Sequence, residues 1–133
     1  MIGAVTASGK FYQQQYTHSI KQPQVVQFLH HLKHCIPGKQ LLIWDGAPIH
    51  RNGLVAAYLR SDAGKHLHLE LLPSYAPEMN AAEGIWKLLK CDELANVCCS
   101  DIQQLQREIR TATRRLQRRT DLIQACFKEL DFF

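Results

Sequence analysis

The first 44 residues of this 133-residue chain contain no aspartate and no glutamate. Any carboxylate chemistry therefore starts at Asp45 or later. No apolar run approaches the roughly 20 residues that a membrane-spanning helix needs, and the opening MIGAVTASGKFYQQQ has neither the charged head nor the long apolar stretch of a secretion signal. The expectation is a cytoplasmic protein with no membrane partner. Cysteines Cys35, Cys91, Cys98, Cys99 and Cys126 are odd in number and show no CxxC spacing, which favours reduced thiols over a disulfide frame or a zinc module. Adjacent Cys98 and Cys99 are expected to be buried as small hydrophobes. Internal repeats, low-complexity tracts and linkers are all missing. What is present is 46% hydrophobic residues, enough for one core, so residues 1–133 are expected to form a single domain.

Charge is distributed unevenly. Against a formal net charge of +4, the stretch Asp101 to Thr120 holds six arginines and two acids. Arg107, Arg110, Arg114, Arg115, Arg118 and Arg119 thus form a candidate nucleic-acid surface, the alternative being a solvated helix face. They fall in a basic helical tail expected over about 97–133.

Apolar spacing orders the rest of the chain. IGAVTASGKFYQQQYTH reads as a hairpin turning near Gly9. Val25, Val26, Phe28, Leu29, Leu32 and Ile36 recur at helical intervals until Pro37 and Gly38 stop the pattern. QLLIW is a continuous apolar run, as expected of a strand buried on both faces, and it ends at Asp45-Gly46. A short helix over about Asn52–Arg60 and a strand in HLHLELLP follow, and Pro73 ends the strand. From Asn80 onward the pattern is helical, with Ile102, Leu105, Ile109, Ala112 and Leu116 on one stripe. The alternation of strand and helix predicts an α/β fold with a helical C-terminal tail.

Two acids stand at element ends, where α/β sheets gather ligands. Asp45 follows the QLLIW strand, and Glu83 lies one turn into the helix opened by Asn80. If they converge they repel one another and lose hydration, so they either take up protons or hold a cation, for which Mg²⁺ with its preference for oxygen ligands is suited. Each has a plainer reading. Asn80-x-x-Glu83 matches a capping box, and Asp45 fits a strand-end turn before Gly46-Ala47-Pro48. Lys87 and Lys90 follow Glu83 at i+4 and i+7, suited either to a phosphate backbone or to one ion pair on a solvated face.

LLIWDGAPIHRN followed by LELLPSYAPEMNAAEGIWKLLK resembles the second and third acidic motifs of bacterial mariner-like insertion-sequence transposases, DDE superfamily endonucleases with a ribonuclease-H-like fold. The matching positions are Asp45, Ala47, Pro48 and His50, then Leu72, Pro73, Tyr75, Pro77, Asn80, Glu83, Trp86, Leu89 and Lys90. GAVTASGKFY resembles the second and third strands of that domain. The resemblance implies that Asp45 and Glu83 are the second and third acids, both catalytic and metal-binding, and that the cofactor is Mg²⁺ or Mn²⁺. It also implies DNA as partner, contacted by Lys87 or Lys90, and a ribonuclease-H-like mixed sheet flanked by helices. His50 orients a loop, contacts DNA or is simply structural.

The family's first Asp ends a strand ahead of the hairpin, and nothing acidic precedes Asp45 here. The sheet is therefore expected to lack its first strand, and the chain alone to be inactive or strongly impaired. It is either the downstream piece of a split transposase, partnered by an upstream fragment or by itself, or a decayed remnant that binds nucleic acid without cutting it. An unrelated nuclease of the same fold would need another acid, and Asp92 and Glu93 lie more than two helical turns past Glu83.

Overall fold

The computed structural model describes residues 1–44, 53–73, 79–94 and 97–128. Among them it is a mixed α/β structure of five helices and two two-stranded sheets. Its contacts cluster into two units, Met1–Ile2 with Gln13–Ala76, and Gly3–Tyr12 with Pro77–Phe133. Strands β1 (Ile2–Val5) and β2 (Phe11–Gln14) form the hairpin sheet. Its turn closes through Gly9 N–H to Thr6 O at 3.0 Å and Thr6 N–H to Lys10 O at 2.9 Å. Gly9 has φ +95°, where a Cβ is strained, and this is why the turn falls on glycine.

In the first unit, α1 (Gln22–Cys35) begins with Pro23, whose missing N–H costs nothing in the first turn. Its start is further tied by the Gln24 side chain accepting from the Lys21 N–H at 2.9 Å. The helix ends before Pro37 and Gly38, the latter at φ +82°. The Gln40 amide then donates to the carbonyls of Leu32 and Ile36 at 3.1 and 3.0 Å, tying off the helix end where Leu32 O also accepts the Ile36 N–H at 2.9 Å. β3 (Gln40–Trp44) pairs in parallel with β4 (Leu67–Leu71), Leu42 opposite Leu69 and Ile43 opposite Glu70. α2 (Gly53–Arg60) and a short 3-10 turn (Asp62–Gly64) make the crossover that a parallel pair requires. Val25, Leu29, Trp44 and Val55 form the core, with Leu42, Leu67, Leu69 and Tyr58 packed against it.

β3 departs from the expectation that it is buried on both faces. Its side chains alternate, and Leu41 and Ile43 are 63% and 37% exposed. The physical reason is the register: Leu41 and Ile43 share a face with His68 and Glu70, which pair with each other at 2.9 Å in solvent, while the helices' core residues meet the opposite face.

In the second unit, α3 (Ala81–Leu88) runs into a π turn (Leu89–Glu93), where the Leu94 N–H reaches back five residues to Leu89 O at 2.9 Å. α4 (Ile102–Gln117) follows, capped by Asp101 accepting from the Gln104 N–H at 2.7 Å, and then α5 (Thr120–Lys128). α3 and α4 both pack on α5. Ile85, Leu116 and Ile123 are fully buried. The hairpin's turn end belongs here: the Gln117 amide donates to Phe11 O at 2.8 Å and the Gln124 amide to Ser8 O at 3.2 Å. Phe11 meets Trp86 edge to face, ring centres 6.2 Å apart.

One further expectation is corrected. Cys98 is exposed and Cys99 half-buried, because they lie in the non-helical link ahead of α4 and not on a packed stripe. On α4 the apolar stripe is buried only in its second half, at Ala112 and Leu116, while Ile102 and Leu105 are 63% and 40% exposed.

At Gly84 α3 lies close against α5, since a Cβ there would stand 2.8 Å from Cys126 Sγ. Gly84→Ala is expected to cost about 1–3 kcal/mol through overpacking, measured as a lower midpoint in denaturant unfolding.

Candidate active site

The sequence around Glu83 builds a helix start and leaves its carboxylate unused. Asn80 is the N-cap: its Oδ1 accepts the Ala82 N–H at 3.0 Å, and its carbonyl accepts the Glu83 N–H at 3.0 Å. One half of the capping box is therefore made. The other half is absent among the described residues, where the Glu83 carboxylate makes no hydrogen bond or ion pair and is exposed. Lys87 on α3 and Lys90 on the π turn are exposed too, and neither pairs with Glu83. What remains is a carboxylate in the first turn of a helix with two lysines following it, open to an external cation and to phosphate.

Asp45 follows Trp44 in the chain, directly after the carboxyl end of β3, and lies outside the described residues. So do His50 and the motif positions Ala47, Pro48, Tyr75 and Pro77. Leu72 and Pro73 are described, and the Leu72 N–H donates to Trp44 O at 2.9 Å, so the chain leaving β4 is held at the carboxyl end of β3. No three His, Cys, Asp or Glu side chains converge among the described residues.

The arginines divide into two sets. Arg115 donates to Glu93 at 3.2 Å, which engages one of the acids that a third-carboxylate reading would need. Arg119 forms a two-point contact with Asp121, both distances 3.3 Å, and this holds the Asp121 carboxyl below the usual carboxylate range. Arg107, Arg110, Arg114 and Arg118 are exposed and make no ion pair among the described residues. Their spacing of three, four and four residues puts them on one stripe, roughly 16 Å long at 1.5 Å per residue.

The motif reading passes over α1. Its HHLKHC segment carries His30 and His34, and His31 and Cys35, as two pairs at i,i+4. That spacing alone is the signal in sequence, since i,i+4 side chains are neighbours on a helix.

The chain matches the family model described as DDE superfamily endonuclease over residues 1–106, and it belongs to that family. No curated protein and no solved structure matches it. Domains of this family act on DNA and generally use divalent metal ions. Glu83 suits such an ion chemically, being an oxygen donor with no protein partner among the described residues. No helix among the described residues is long and apolar enough to cross a membrane. All six arginines of the basic block lie beyond the matched segment.

Capping and metal binding are separable by stability. Asn80→Ala is expected to cost about 1 kcal/mol, whereas Glu83→Gln should change unfolding free energy by less than about 0.5 kcal/mol. An equal loss from both substitutions would return Glu83 to the cap.

Proposed function

We propose that residues 1–133 are a truncated catalytic domain of a mariner-like insertion-sequence transposase, with a basic helical tail over about 97–133, serving Mg²⁺- or Mn²⁺-dependent DNA cleavage and strand transfer. Asp45 and Glu83 are its second and third acids and would hold the metal. When bound, the metal activates the attacking oxygen and stabilises the leaving one. The observation that carries this reading is the Glu83 carboxylate, left without a protein partner while Asn80 caps the helix by itself. The Asp45 and Glu83 motifs, in order inside the matched segment, agree with it.

The first acid of the family's pattern has no counterpart before Asp45, and we assign it to an upstream transposase segment. The ribonuclease-H-like sheet has that segment's strand at its centre. In keeping with this, the two sheets stop at two strands each among the described residues, and β3 has the composition of a central strand but one partner only. With one edge of β3 unpaired among the described residues, pairing with another chain is favoured, either that segment or a second copy.

With the upstream segment supplied, Mg²⁺-dependent nicking of duplex DNA is expected. Asp45→Ala and Glu83→Ala should each lower it by roughly two orders of magnitude or more. Undiminished cleavage in either variant removes that residue from the mechanism.

A second reading, a nucleic-acid-binding or assembly module without catalysis, is favoured by the Arg107, Arg110, Arg114 and Arg118 stripe. These guanidiniums, with Lys87 and Lys90, would neutralise phosphates. Replacing the four arginines by glutamine should flatten the dependence of log affinity on log salt by about 0.9 for each phosphate no longer neutralised. Duplex-DNA affinity that does not change with salt in the unaltered protein would dismiss the stripe.

A further inference from the structure

We propose that the C-terminal half of α1 chelates transition-metal dications of the zinc class at two separate side-chain pairs, His30 with His34 and, once the His31 ring turns, His31 with Cys35. This does not rest on the endonuclease reading. The donors are nitrogen and sulfur, which select zinc, cobalt, nickel or copper over magnesium, and residues 1–44 hold no carboxylate to attract a harder cation.

At His30 and His34 the geometry is already that of a chelate. The Nε2 atoms of His30 and His34 stand 3.1 Å apart, in a contact where one ring's N–H donates to the other's lone pair. With zinc–nitrogen bonds of about 2.05 Å, that separation closes a nitrogen–metal–nitrogen angle of roughly 100°, near the tetrahedral value. Replacing the shared proton by a metal ion therefore needs almost no movement of either ring. The second pair is close but not yet aligned. Cys35 Sγ lies 3.4 Å from His31 Nε2 and 3.9 Å from Nδ1, beside the ring, so the His31 ring has to turn before nitrogen and sulfur meet one ion.

The backbone that spaces these ligands is fixed by buried packing. Val25, Phe28, Leu29 and Leu32 hold the opposite side of α1 in the core, and the Gln40 amide ties off its last turn. The His31 ring lies 6.4 Å from that of Phe28, which is itself 3% exposed. His30, His34 and Cys35 are exposed, so an ion has direct access. With two protein donors for each ion, the remaining coordination positions go to water.

The test is zinc titration of the full chain by calorimetry, with His30→Gln, His34→Gln and, as a control away from the cluster, His18→Gln. His30, His34 and Cys35 are exposed and His31 is half-buried, and circular dichroism checks that each variant keeps its helices. Zinc binding should weaken roughly ten-fold or more in His30→Gln and His34→Gln and be unchanged in His18→Gln. Equal zinc affinity in the unaltered protein and both cluster variants overturns the proposal. Cobalt(II) reads the second pair, because a thiolate ligand gives a near-ultraviolet charge-transfer band that should vanish in Cys35→Ser. A cobalt spectrum without that band removes His31 and Cys35 from the site. Magnesium should produce no heat at α1. Zinc binding that survives Asp45→Ala and Glu83→Ala separates this site from the proposed catalytic one, whereas its loss in those variants counts against α1.

Discussion

The parallel pairing of β3 with β4 is the constraint from which the first unit follows. Two strands running the same way cannot be joined by a tight turn, so the chain between them has to cross over, and α2 with its 3-10 turn does so. The crossover puts α1 and α2 together, packed where Trp44, Leu42, Leu67 and Leu69 need cover. It also brings the carboxyl ends of both strands to one edge, with Leu72 bonded back to Trp44. Both acidic motifs of the sequence begin where these two strands stop, so the proposed chemistry depends on a backbone pairing before it depends on any carboxylate.

At Asn80 and Glu83 the structure assigns the helix cap to one residue of a short motif and not to the other. A helix needs its first N–H groups satisfied, and Asn80 meets that need from the side chain and the carbonyl at once. Glu83 is thereby released from structural duty. A residue kept at an exposed first turn without a partner contributes little to folding, which is the condition under which function can dictate its identity. The arginines of the basic block show the same division: Arg115 and Arg119 are engaged with Glu93 and Asp121, and the four on the other stripe make no ion pair among the described residues.

Most element positions were legible from the sequence because they depend on local signals. The hairpin turn at Gly9, the stop of α1 before Pro37, and the cap at Asn80 are each set by the chemistry of a few neighbouring residues. Burial was less legible. The apolar run QLLIW implies cover on both faces, but whether cover exists depends on what else the strand pairs with, and a run of five residues cannot encode its neighbours. The exposure of Ile102 and Leu105 has the same origin: periodicity gives the apolar side of a helix and not the length of it that meets a partner. The π turn has no sequence signature at all, being the outcome of one extra residue accommodated between α3 and the link to α4. Of the site, the Glu83 environment was readable as two alternatives, and the structure bears on one of them only: the Glu83 half of the capping box is not made among the described residues. Asp45 lies outside the described residues and stays part of the proposal.

The contact at Gly84 has a practical consequence for the thiols. Cys126 is buried between α5 and the glycine surface of α3, whereas Cys35, Cys91 and Cys98 face solvent. Alkylating reagents can reach the solvent-facing sulfurs at once, but reach this one only when the helices part. The slow phase of a thiol-labelling time course is thus a clock for that parting, supplied by the native sequence without any engineered probe.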